Sequence, residues 1–142
     1  MILKKLGETG LIERLARNFA SAGHAKDIVK GIGDDCAVIR ASKKKYLLVT
    51  IDMLLEDVDF RVKGAEPYQI GWKSLACGLS DIAAMGGKAK YAVVSLGLPK
   101  KLPVEFIDEL YSGIKTLARK FHVDIVGGDT NSSAKLIVDV AV

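Results

Sequence analysis

The sequence contains no apolar stretch long enough to cross a bilayer; its longest runs, residues 46–51 and 91–98, are strand-sized. The N-terminal residues Met1-Ile2-Leu3-Lys4-Lys5 carry neither an extended apolar segment nor a small-residue cleavage site, so the chain reads as cytoplasmic, with no membrane partner. Cysteine is scarce. Cys36 and Cys77 are isolated and lack metal-ligand spacing, which excludes a disulfide framework and a thiolate metal centre. Aromatic residues make up only 6%, and the one lysine run, Lys43-Lys44-Lys45, has no aromatic interleaving. A net charge of +4 therefore does not amount to a nucleic-acid surface, and the run reads as a solvated turn between strands. There is no Gly-x-x-x-x-Gly-Lys-Ser/Thr loop and no protein-kinase catalytic loop. Repeats, low-complexity tracts and internal linkers are also missing.

What is present is the balance of a folded domain: 142 residues, 49% hydrophobic and 27% charged, enough to bury one core. Leu11, Ile12, Leu15, Ala16 and Phe19 recur at helical spacing and predict a first amphipathic helix ending near Gly23. Residues 35–40 and 46–53 read as a hairpin around the basic turn. From about 66 to 85 the helical period returns on Trp72, Leu75, Ala76, Leu79 and Ala83. This helix is small-sided, and Gly86-Gly87 ends it. A strand over 91–98 precedes a helix opened by Pro103. Its stripe of Phe106, Ile107, Leu110, Tyr111, Ile114, Leu117, Ala118 and Phe121 is matched to the helix dipole by Glu105 and Asp108 early and by Arg119 and Lys120 late. A short strand over 123–126 leads into Gly127-Gly128-Asp129, and a last strand occupies 136–142. The order α-β-β-α-β-α-β-β predicts an α/β (α+β layer) domain over 1–142.

The carboxylates fall at informative places. Asp34-Asp35 follows Gly31-Ile32-Gly33, Asp52 follows an apolar run, Asp81 sits beside Ser80 in the small-sided helix, and Asp129 follows a diglycine. Clustered carboxylates are costly unless a cation neutralises them. Oxygen donors without thiolate or imidazole favour a hard ion such as Mg²⁺, which pairs with substrate phosphates. Each position taken alone is more often an ordinary turn or cap residue, and Gly31-x-Gly33 and Gly127-Gly128 more often tight turns.

Five segments in one order add a resemblance. These are Gly31-Ile32-Gly33-Asp34-Asp35-Cys36-Ala37-Val38, Thr50-Ile51-Asp52-Met53-Leu54, Gly71-Trp72-Lys73-Ser74-Leu75-Ala76, Ser80-Asp81-Ile82-Ala83-Ala84-Met85-Gly86 and Val126-Gly127-Gly128-Asp129-Thr130. Together they resemble the successive signatures of thiamine-monophosphate kinases, within the aminoimidazole-ribonucleotide synthetase-like superfamily. The resemblance implies a mixed sheet of about four strands packed by helices, the sheet pairing across a homodimer. It implies ATP as co-substrate, several Mg²⁺ ions, and phosphoryl transfer to thiamine monophosphate without a protein base. Position by position, it assigns metal binding to Asp35, Thr50, Asp52, Asp81 and Asp129, and to Ile51 through its carbonyl. It assigns nucleotide contact to Tyr111, Gly127 and Gly128, and leaves Asp34 as a turn residue.

Three departures stand out. Asp59 occupies the place of a substrate-contacting His and can meet a cationic thiazolium or simply be solvated. Gly78 replaces a common Asn, which predicts a widened helix face. Lys88-Ala89-Lys90 stands where a Pro is usual. The family's C-terminal domain is absent from the 142 residues, so the chain reads as an N-terminal half, a weak nucleotide binder that turns over slowly or not at all alone. Two alternatives stay open: another ATP- and Mg²⁺-dependent superfamily member (selenophosphate synthetase, hydrogenase-maturation dehydratase or purine-pathway synthetase), and a non-enzymatic dimerisation or nucleotide-binding module.

Overall fold

In the computed structural model, which describes residues 2–20 and 25–142, the chain divides into two units, Met1–Val49 and Thr50–Val142. The first contains helix α1 (Leu3–Ala20) and an antiparallel three-stranded sheet ordered β1 (Ile28–Lys30), β2 (Ala37–Ser42), β3 (Lys45–Val49). Gly7, at φ 69°, interrupts α1, a conformation that glycine adopts without steric cost. The helix buries none of its residues; Ile12, Leu15 and Phe19 are exposed. The helix end expected near Gly23 lies outside the described residues.

The second unit holds β4 (Ile51–Leu55), α2 (Pro67–Ala84), β5 (Tyr91–Leu98), α3 (Val104–Phe121), β6 (Asp124–Ser132) and β7 (Ile137–Ala141). Its four-stranded sheet runs β4-β7-β5-β6; β5 and β6 are parallel and the other pairs antiparallel. Strand alternation separates the two faces of this sheet. Ala92, Val94, Leu96, Val138 and Val140 point into the core with Leu75, Leu110, Ile114 and Leu117 of the helices. On the opposite face Ile51, Met53 and Tyr91 are at least 60% exposed.

The two helices cross almost backbone to backbone. A Cβ at Gly71 would lie 1.9 Å from the Leu110 carbonyl oxygen, and one at Gly113 would lie 2.0 Å from that of Tyr68. These glycines draw α2 against α3 and so fix where the outer face of α2 stands.

The sequence reading needs four corrections. The apolar run over 46–53 is broken at Thr50 and feeds two sheets, because Thr50 exchanges backbone hydrogen bonds with Val142 while β3 stays with β2. Strand β1 had no alternation long enough to announce it. Gly127-Gly128-Asp129 lies within β6 rather than beyond it. Pro103 is the N-cap of α3, one place before the helix begins.

Candidate metal and nucleotide site

The donor set gathers where β4 runs beside α2. Thr50, 7% exposed, donates its hydroxyl to Asp81 Oδ2 at 2.7 Å. Asp52 lies two residues further along the same edge strand. Its carboxyl is pushed above the usual aspartate range by burial first, then by the Asp81 charge, a hydrogen bond shared with Asp81, and the Asp139 charge. Asp52 Oδ2 is buried without a hydrogen-bond partner. Two acids and a hydroxyl are thus held together with one oxygen unsatisfied, an arrangement that costs stability until something positive arrives.

Asp139, missed by sequence reasoning, stands on the other face of the sheet, one residue along β7 from the register partner of Asp52, and acts on Asp52 through its charge. Its Oδ1 is likewise buried without a partner, and burial raises its carboxyl. It is in register with Met53 on one side and Ser95 on the other. The signal was a carboxylate in an otherwise apolar strand, on the face opposite Val138 and Val140.

Asp129 stands elsewhere on the sheet. It is in register with Ser95, two strands from β7, and accepts a hydrogen bond from Asn131 Nδ2 at 3.1 Å. At about 4.8 Å per strand, roughly 15 Å separates β6 from β4. Asp129 instead shares a cleft of about 450 Å³ with Tyr111, Gly127 and Gly128, the three positions expected to meet nucleotide. Burial raises the Tyr111 hydroxyl. The close approach at Gly128 is to the protein itself: a Cβ there would lie 1.9 Å from the Val94 carbonyl oxygen.

Asp35 belongs to the first unit and is exposed. Its backbone N–H bonds Asp34 Oδ1 at 3.0 Å, and Asp34 pairs with Lys30, which makes Asp34 a turn residue. Ile51 is in register with Ala141 and turns its side chain outward. The Asp59 carboxylate is engaged locally, accepting the Leu55 N–H at 2.8 Å. The face expected to widen at Gly78 is filled: a Cβ would lie 2.7 Å from Val142 Cγ2.

Among the described residues, no three Asp, Glu, His or Cys side chains stand close enough to hold an ion as they are. In kind, however, the donors fit a hard cation. They are two carboxylates and a hydroxyl, and the shielded Asp52 Oδ2 has no other partner.

The model of the AIR synthase related protein N-terminal domain matches residues 33–142. The thiamine-monophosphate kinase of Bacillus subtilis is 43% identical over 120 residues, covering 84% of this chain and 37% of that protein. The one from Aquifex aeolicus is 37% identical over 140 residues, 99% of this chain and 42% of its own length. A solved structure of AaThiL complexed with AMPPCP and TMP superposes with a TM-score of 0.88 at 35% identity, covering 99% of this chain and 42% of that one. The chain therefore spans about two fifths of the length of these relatives. By the fold and by the family match over 33–142, this chain belongs to the AIR synthase related proteins, as an N-terminal domain of that family.

Proposed function

We propose that this chain is the ATP- and Mg²⁺-binding N-terminal part of a kinase that transfers the γ-phosphoryl group of ATP to thiamine monophosphate, giving thiamine diphosphate. The observation that carries the reading is the Thr50–Asp81 bond beside Asp52 and its unpartnered buried oxygen. The similarity to thiamine-monophosphate kinases, and to a relative held with an ATP analogue and TMP, supports the choice of substrates.

In this reading Asp52, Asp81 and Thr50 hold Mg²⁺, the Thr50 hydroxyl also donating to Asp81, and the Ile51 carbonyl, Asp35 and Asp129 serve further ions. Tyr111, Gly127 and Gly128 form the wall against which nucleotide lies. Bound Mg²⁺ supplies positive charge between two polyanions. Two unit like charges about 4 Å apart repel by on the order of 4 kcal/mol at an effective dielectric of 20, equivalent to roughly a thousandfold in rate. The protein needs no base, because the attacking oxygen belongs to a phosphate monoester whose second pKa is about 6 and is already ionised near pH 7. Its residues act by placing the two phosphates in line and excluding unproductive geometries.

The assembly proposed is a homodimer through the open sheet face, where Ile51, Met53, Tyr91 and Val93 are exposed together. Coupled ADP release, measured in a protein carrying this segment together with the remaining length of its relatives, tests the reaction. Thiamine monophosphate is expected to be the preferred acceptor. Preference for selenide or for a purine precursor would move the chain to another branch of the family.

A further inference from the structure

Of the five segments that carry the family resemblance, Gly71-Trp72-Lys73-Ser74-Leu75-Ala76 is the one to which the proposed reaction gives no task. Packing accounts for most of it. Gly71 admits the Leu110 carbonyl, Ser74 is buried and donates to the Gly71 carbonyl at 2.8 Å, and Leu75 is fully buried in the core. The Trp72 ring lies beside Tyr68 and under Lys120. Lys73 remains, exposed and with no packing role.

Lys73 is nevertheless fixed at a distance in sequence. Its Nζ donates to the Asp59 carbonyl oxygen at 2.9 Å. The turn that receives it is densely tied. Asp57 adopts a positive φ of 68°, its N–H bonds the Phe60 carbonyl, the Asp59 carboxylate holds Leu55 N–H, and Glu56 Oε2 accepts Leu136 N–H. Among the described residues, Lys73 forms no ion pair with a carboxylate.

Lys73, Cys77 and Asp81 follow one another at i, i+4 and i+8 on α2, so they share one face. That face runs beside edge strand β4. Asp81 meets Thr50 at one end, and Lys73 meets the turn after Leu55 at the other. Cys77, between them, feels both ends: burial raises its thiol most, Asp52, Asp81 and Asp59 raise it further, and Lys73 lowers it. The result is a helix face about 12 Å long at 1.5 Å per residue, with Asp81 at one end and the Lys73 ammonium at the other.

We propose that Lys73 is a binding residue for the acceptor phosphate, anchored by the Asp59 carbonyl and presenting its remaining N–H donors to a phosphate monoester lying along this helix face. An ammonium carries three donors and one is in use. The inference deepens the kinase reading and rests on it for the identity of the acceptor, though not for the presence of a phosphate.

Isothermal titration of the 142-residue chain with thiamine monophosphate, with inorganic phosphate and with AMPPCP, all in excess Mg²⁺, tests it on the parent, Lys73→Met and Lys73→Arg. Lys73→Met is expected to weaken both phosphate acceptors about tenfold or more while AMPPCP stays within about twofold, with Lys73→Arg recovering most of the loss. Unchanged acceptor affinity in Lys73→Met overturns the proposal, and so does equal weakening of all three ligands, which marks a fold defect. A parent that binds phosphate through Lys73 but ignores the thiamine ester removes the thiamine reading and leaves Lys73 standing. A parent that binds no phosphate removes Lys73.

Discussion

Asp52 costs the metal-free fold stability. Its raised carboxyl means that the folded chain binds more protons than the unfolded one between about pH 4 and the raised value. The stabilising contribution is complete below about pH 4 and disappears as pH rises through that window, and Asp139 acts in the same sense. Metal-free stability is therefore expected to fall on going from mildly acidic to neutral pH. Asp52→Asn should flatten the slope and raise the metal-free Tm by a few degrees, on the order of 1 kcal/mol or less at a partly solvated site. Thermal unfolding of both proteins across pH, in chelator, checks this; a lower Tm for the variant at neutral pH would contradict it. The same residue shows what the sequence could convey. Thr50, Asp52 and Asp81 were legible because their flanking segments match a family pattern. Asp139 lies in a stretch with no such pattern, and its proximity to Asp52 arises only when β7 pairs with β4.

At the scale of elements, hydrophobic period revealed α2, β5 and α3 almost to the residue, because each buries a single continuous face. It failed at β1 and along β6. β1 has three exposed residues, and β6 is exposed throughout, so neither carries an inside-outside alternation to read. Its glycines looked like a turn because glycine usually marks one. In β6 they meet a different need, since the Val94 carbonyl leaves no room for a side chain at Gly128. The packing of α2 yields a graded prediction. Gly71→Ala forces a Cβ against immobile backbone of α3 and should cost about 1–3 kcal/mol or more. Gly78→Ala meets side chains rather than backbone, Val142 Cγ2 at 2.7 Å and Thr50 Cγ2 at 3.7 Å, and should cost less. Urea denaturation of the two variants gives the comparison; equal losses would show that the α2–α3 crossing does not set the fold's tolerance.

For the whole molecule, the element order pointed to the α/β class and the family resemblance to a mixed sheet of about four strands, while the division at Thr50 into two units was not legible. A single apolar run crosses that point, and only the pairing of Thr50 with Val142 shows where the second sheet begins. The open face of that sheet is the surface through which a second copy is expected. Sedimentation equilibrium should show a dimer at micromolar concentration, and Met53→Glu, which puts charge among Ile51 and Val93, should give monomers. A monomeric parent would remove the dimer from the account.

The claim on which the rest depends is that Thr50, Asp52 and Asp81 form a cation site serving a triphosphate. Titration of the chain with AMPPCP in Mg²⁺ and in chelator, repeated on Asp52→Asn and Asp81→Asn, addresses it directly. The account predicts Mg²⁺-dependent binding in the parent, weakened about tenfold or more in each variant, with folding retained. Binding that is indifferent to Mg²⁺, or unchanged in both variants, would contradict it.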